Sequence, residues 1–91
     1  MQINNYSPKG KNPNCTKVID NKGIRFFSYN TVIAFKGDGD TVLISDKKWS
    51  VTTARHRSHI KAYVSDYQEI EHTEFLRLYK ETFGENHKDN Y

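Results

Sequence analysis

The apolar residues of this chain change period once, at Trp49, and that change limits the architectures open to it. Before Trp49, β-branched and aromatic residues come in short runs, at residues 15–20, 24–29, 31–35 and 41–45. Runs of this length and composition suit strands. Turn residues separate them. Asn21-Lys22-Gly23 predicts a tight turn in which Gly23 takes positive φ, Ser28-Tyr29-Asn30 a bend or bulge, and Gly37-Asp38-Gly39-Asp40 the strongest reversal in the chain. After Trp49 the period becomes helical. Thr53, His56, Ile60, Tyr63 and Val64 fall on one face of a first helix, with Ser50, Thr52 or Thr53 as its N-cap. Phe75, Leu76, Leu78, Tyr79 and Phe83 predict a second helix over residues 73–83, stopped by Gly84. Asp66, Gln68, Glu69 and Glu71 read as a polar spacer between the two.

These elements predict an α+β fold, a three- to four-stranded antiparallel meander packed by two C-terminal helices, with Trp49 pinning helix to sheet. The expected organisation is a flexible N-terminal arm over residues 1–14, a single domain over 15–84 and a disordered tail over 85–91. The arm is inferred from Ser7-Pro8-Lys9-Gly10-Lys11-Asn12-Pro13-Asn14, which has no apolar period. At 91 residues the chain is near the lower end of what buries a self-sufficient core. Rings must supply much of that core, because 35% of residues are hydrophobic and 13% are aromatic.

Several chemistries find no support in the residues. Cys15 is the sole cysteine, so an internal disulfide is excluded and a thiolate metal site cannot be assembled from cysteine alone. No apolar run reaches the about 18 residues needed to span a bilayer, and the polar start Met1-Gln2-Ile3-Asn4 is unlike a signal peptide. The reading is a soluble, cytoplasmic protein with no membrane role. His56 and His59 have a spacing that can present two imidazoles to one metal, but no third ligand follows in a recognisable pattern. His56 is expected to face the sheet and make a structural hydrogen bond, and His59 to face away. Asp38 and Asp40 lack the longer loop and terminal glutamate of a calcium site, and Gly37 and Gly39 precede a strand without the Lys-Ser/Thr pair of a phosphate loop. Cys15 has no base adjacent in sequence. No catalytic residue, metal or cofactor is expected, and the chain reads as a binding module rather than an enzyme.

Charge is the more informative signal. The net excess is +3, from fourteen Lys and Arg against eleven Asp and Glu, but the distribution is uneven. Lys47, Lys48, Arg55, Arg57 and Lys61 fall in a stretch without a single acid, while residues 66–85 carry six acids against Arg77 and Lys80. Such blocks either pair with one another or form separate faces. The macromolecule-binding residues predicted here are Arg55, Arg57, His59 and Lys61 on the first helix, extended by Lys47 and Lys48. The cations suit an acidic protein surface, or the phosphates of DNA or RNA as the alternative.

Two segments carry a resemblance. Phe27-Ser28-Tyr29-Asn30-Thr31-Val32-Ile33-Ala34 resembles an F-S-Y-x-T-x-V/I-A strand, and Trp49-Ser50-Val51-Thr52-Thr53-Ala54-Arg55-His56 a W-S-x-T-T-x-x-H helix start. Both are similar to motifs of small uncharacterised proteins of bacteriophages and mobile elements, over roughly residues 24–60. The resemblance implies a setting, the cytoplasm of a bacterial host, and no mechanism. It implies a small accessory protein that binds and blocks a host component, defence systems included. The expected partner is then a host protein or protein–nucleic-acid complex with an acidic surface.

Overall fold

A computed structural model describes residues 1–37, 39 and 41–87. The strand-forming runs before Trp49 fold as β2 (Cys15–Asp20), β3 (Gly23–Ser28), β4 (Thr31–Lys36) and β5 (Val42–Ser45), each antiparallel to the next. Gly23 closes the β2–β3 turn at φ +148°. A Cβ there would stand 2.4 Å from the Lys36 carbonyl oxygen, so both the conformation and the space call for glycine. Asp38 and Asp40 of the expected reversal lie outside the described residues.

The chain is α+β, but its sheet is larger than a three- to four-stranded antiparallel meander. Among the described residues six strands lie in the order β1-β2-β3-β4-β5-β6. β1 (Gln2–Asn5) lies inside the segment expected as a flexible arm and pairs antiparallel with β2. β6 (Tyr67–Ile70) occupies the expected polar spacer and runs parallel to β5. A parallel neighbour requires a crossover, and α1 (Val51–Tyr63) supplies it. α2 (His72–Phe83) follows β6 and ends at Gly84, which takes the left-handed conformation at φ 70°. The expected tail is also partly organised. Glu85 pairs with Arg25, and His87 Nε2 lies 2.6 Å from the Val32 carbonyl oxygen, while residues 88–91 lie outside the described residues.

The two helices cover opposite faces of the sheet. Pleating sends Ile24, Phe26 and Ser28 of β3 toward α1, where Phe26 joins Tyr6, Cys15, Ile33, Ala34, Val42, Ile44 and Ile60 in one core. Phe27 faces the other way, into a second core of Val32, Phe35, Phe75, Tyr79 and Phe83 under α2. Both faces are therefore dry over β4, whose residues Thr31 to Phe35 are all buried. A β-bulge lets β4 serve both cores. The register shifts between Phe26 and Phe27, leaving Ile33 as the extra residue, so Ile33 and Ala34 both join the α1 core. Trp49 packs against that same core and meets the His72 ring edge-on at 5.4 Å, tying the start of α1 to α2.

Candidate functional site

α1 starts where Ser50, in extended backbone, accepts a hydrogen bond on Oγ from the Thr53 amide at 3.1 Å. Capping sets the phase of the helix, which then turns Thr53, His56 and Ile60 inward. His56 is 2% exposed, and its Nδ1 shares a 2.6 Å hydrogen bond with Ser28 Oγ, itself 3.2 Å from Thr53 Oγ1. Burial, with the nearby His59, holds the His56 pKa below the usual imidazole value. His56 is thus a polar tie between α1 and β3, in the inward position expected from the sequence. A second serine–histidine pair lies under α2, where Ser45 Oγ and His72 Nδ1 are 2.6 Å apart. Ser28 and Ser45 are both fully buried, so neither hydroxyl can meet a substrate without an opening of the fold. Cys15 is also buried, which pushes its thiol pKa up, away from a reactive thiolate. Among the described residues, no three His, Cys, Asp or Glu side chains cluster as a metal site.

The six cationic positions singled out in the sequence do not form one outward ridge. Arg57 Nη2 lies 2.8 Å from Glu69 Oε1, and Lys61 pairs with the same oxygen. Glu69 is on β6, which the parallel pairing sets beside α1. Its carboxyl is held below the ordinary glutamate range, first by the Lys61 hydrogen bond and also by Arg57. The Arg57 side chain is only 15% exposed. Intramolecular pairing therefore takes up two of the predicted contact residues. Lys47 Nζ lies 5.3 Å over the Trp49 ring. Lys48 and Arg55 are exposed, while His59 is half-buried.

The loop that shares a cleft with His59 was not legible in the sequence. The loop from Tyr6 to Cys15 is internally braced rather than an arm. Asn5 Oδ1 accepts from the Ser7 amide and hydroxyl, and Ser7 Oγ in turn accepts from the Lys11 and Asn12 amides at 3.2 Å each. Asn5 Nδ2 donates to the Asn12 carbonyl, and the Tyr6 hydroxyl to the Phe27 carbonyl at 2.7 Å. Such side-chain turns hold a loop in one shape without an apolar pattern. Exposed Lys9 and Lys11 ride on it. Ser7, Pro8, Lys9, Lys11, Asn12 and His59 line an open cleft of about 420 Å³. Further along α1, His59, Ala62 and Tyr63 line another cleft with Tyr6, Ser7 and Pro8. The one legible sign was the repeated Asn and Ser near Pro8 and Gly10, residues that favour side-chain-braced turns.

Tyr29 borders the same region. Its φ of 57° is the only positive value among the described non-glycine residues, and a left-handed tyrosine costs about 1–2 kcal/mol. Its amide donates to the Asn14 carbonyl at 3.0 Å and its ring lies 5.7 Å from that of His56, yet the residue is 44% exposed.

The fold sorts charge as well. Residues 1–19 and 47–65 contain no acid and hold eight Lys and Arg: Lys9, Lys11, Lys17, Lys47, Lys48, Arg55, Arg57 and Lys61. The loop on His59 and the bond from Lys17 Nζ to the Tyr63 hydroxyl, at 2.8 Å, bring these two segments together. Arg57 and Lys61 of this set are held by Glu69, as around α2 Arg77 is held by Glu74 and Glu81 and Arg25 by Asp20 and Glu85.

Among the described residues no helix is long and apolar enough to cross a membrane. No curated protein and no solved structure matches the chain. A family model does match residues 1–77, a span holding all six strands, the lysine loop and α1, and the chain belongs to that family, the family of unknown function DUF8033.

Proposed function

We propose that this protein is a non-enzymatic binding module that docks its α1 face on a polyanionic surface of a host macromolecule and blocks or modulates it. The setting is that of a phage or mobile-element accessory protein in a bacterial cytoplasm, with a defence system among the targets. The observation that carries the reading is the meeting of two acid-free segments, the Ser7–Asn14 loop and α1, with Lys9, Lys11, Arg55 and Lys48 exposed. Like charges gathered on one face raise the local potential beyond what a net charge of +3 gives when spread evenly. The buried serines and cysteine support a role in binding over one in nucleophilic catalysis.

The contact set differs from the one expected from the sequence. Arg55, His59 and Lys48 remain, Lys9 and Lys11 join them, and Arg57 and Lys61 stand behind Glu69. The test compares two variants of equal net charge, Lys9→Gln with Lys11→Gln and Arg77→Gln with Lys80→Gln, on a polyglutamate resin eluted with salt. The loop variant elutes earlier than the α2 variant if the α1 face docks. Equal elution of the two variants sinks the proposal.

A further inference from the structure

We infer that the polyanion taken by the α1 face is single-stranded nucleic acid, gripped by a strip in which aromatic rings alternate with cations. The inference rests on the docking reading above and names its partner. Along α1 the strip begins at Tyr29, beside His56, and continues through Arg55 to His59, where Lys9 and Lys11 stand on the braced loop. It ends at Tyr63, 45% exposed, with Lys17 4.7 Å over its ring. Single strands are bound in this way, by positive charge tracking the backbone and by rings on which bases stack, whatever the sequence. An acidic protein surface needs the cations but gives no role to two half-exposed tyrosines at the ends of the row.

The backbone at Tyr29 adds a second argument. A tight hairpin turn favours glycine or asparagine at positive φ, and here the position holds a large ring that is left 44% exposed. Strain of this kind, at a surface residue, points to a use for the side chain. The loop amides of Gly10, Lys11 and Asn12 are already bonded to Ser7, so phosphate contacts must come from side chains. From His56 to Tyr63 is seven residues, roughly 10 Å along the helix axis. That length accommodates about three stacked nucleotides at 3.4 Å per step.

The experiment is fluorescence anisotropy with a short fluorescein-labelled oligothymidylate, its matched duplex, and polyglutamate resin run in parallel. With Lys9, Lys11 and Arg55 on phosphates, affinity for the single strand falls roughly 20-fold between 50 and 200 mM salt, from about 0.7 counterions released per contact. Lys9→Gln with Lys11→Gln lowers that salt slope by about 1.4. Tyr29→Asn keeps a residue tolerant of positive φ but removes the ring; affinity drops roughly five- to 150-fold with the slope unchanged, as expected for loss of one stacked base. A circular dichroism spectrum like that of the parent shows that the variant is folded. Retention on polyglutamate without oligothymidylate binding overturns this inference and leaves the docking reading standing. Loss of both overturns both. Duplex binding as tight as single-strand binding, or full affinity in folded Tyr29→Asn, also overturns the single-strand assignment.

Discussion

Glu69→Gln tests how the molecule restrains its own positive charge. Glu69 holds Arg57 and Lys61 through one carboxylate oxygen, and the three side chains are 39%, 15% and 34% exposed. Pairs this wet contribute about 0.2–1 kcal/mol each, and the two share one acceptor. The expected stability loss is therefore about 1 kcal/mol, or roughly 4–8 °C in Tm for a domain of this size. Glutamine can still accept a hydrogen bond from Arg57, which keeps the loss near the low end. The effect on docking has the opposite sign. Removing the carboxylate frees two cations on the flank of α1 that faces β6 and raises the net charge by one, so salt elution from a polyanionic resin moves later even though the fold is slightly weaker. Urea melts and resin elution on the same preparation read both effects. The parent should show a matching pH signature. Because the Glu69 pKa is lowered on folding, its contribution is complete above the ordinary carboxylate value of 4.5 and fades as pH falls through the depressed one. A loss above about 3 kcal/mol would mean that the cluster behaves as a buried ion pair. Unchanged elution would mean that Arg57 and Lys61 stay clear of the polyanion even when released from Glu69.

Two further outcomes test the packing. Burial lowers the His56 pKa on folding, so the unfolded chain binds more protons below its ordinary value of 6.5. Stability is complete above that pH and falls as pH drops through it, by at most about 1.4 kcal/mol per pH unit, and urea melts of the parent and of His56→Gln should differ in this slope. Phe75 is fully buried, with its ring 5.1 Å from that of Phe35, and Phe75→Ala should cost about 3–5 kcal/mol in a urea melt; a loss below 1 kcal/mol would show that the α2 core is not tightly packed.

The elements with strong periodic signals were legible because their burial is one-sided or complete. The strands of residues 15–45, both helices, a cap among Ser50, Thr52 and Thr53, the Gly84 stop and the inward turn of His56 all follow from local pattern. β1 and β6 were not legible, for a shared reason. Each is a four-residue edge strand, Gln2–Asn5 and Tyr67–Ile70, with no fully buried residue to impose a period of two. The unbroken buried run of β4 did hint that both sheet faces would be covered, as near-continuous apolar strands are in two-sided sheets.

By itself the sequence determined which residues are apolar in phase, where helices begin and end, and that positive charge is concentrated around α1. It could not determine what lies next to that charge. Whether Arg57 meets solvent or Glu69 depends on β6 pairing parallel to β5 beneath the crossover helix, a contact between residues far apart in the chain. Whether Lys9 and Lys11 belong with Arg55 and His59 depends on a braced loop folding onto α1. Local pattern encodes which side of an element is apolar; only tertiary packing decides which elements become neighbours, and electrostatic identity at a surface is a property of neighbours.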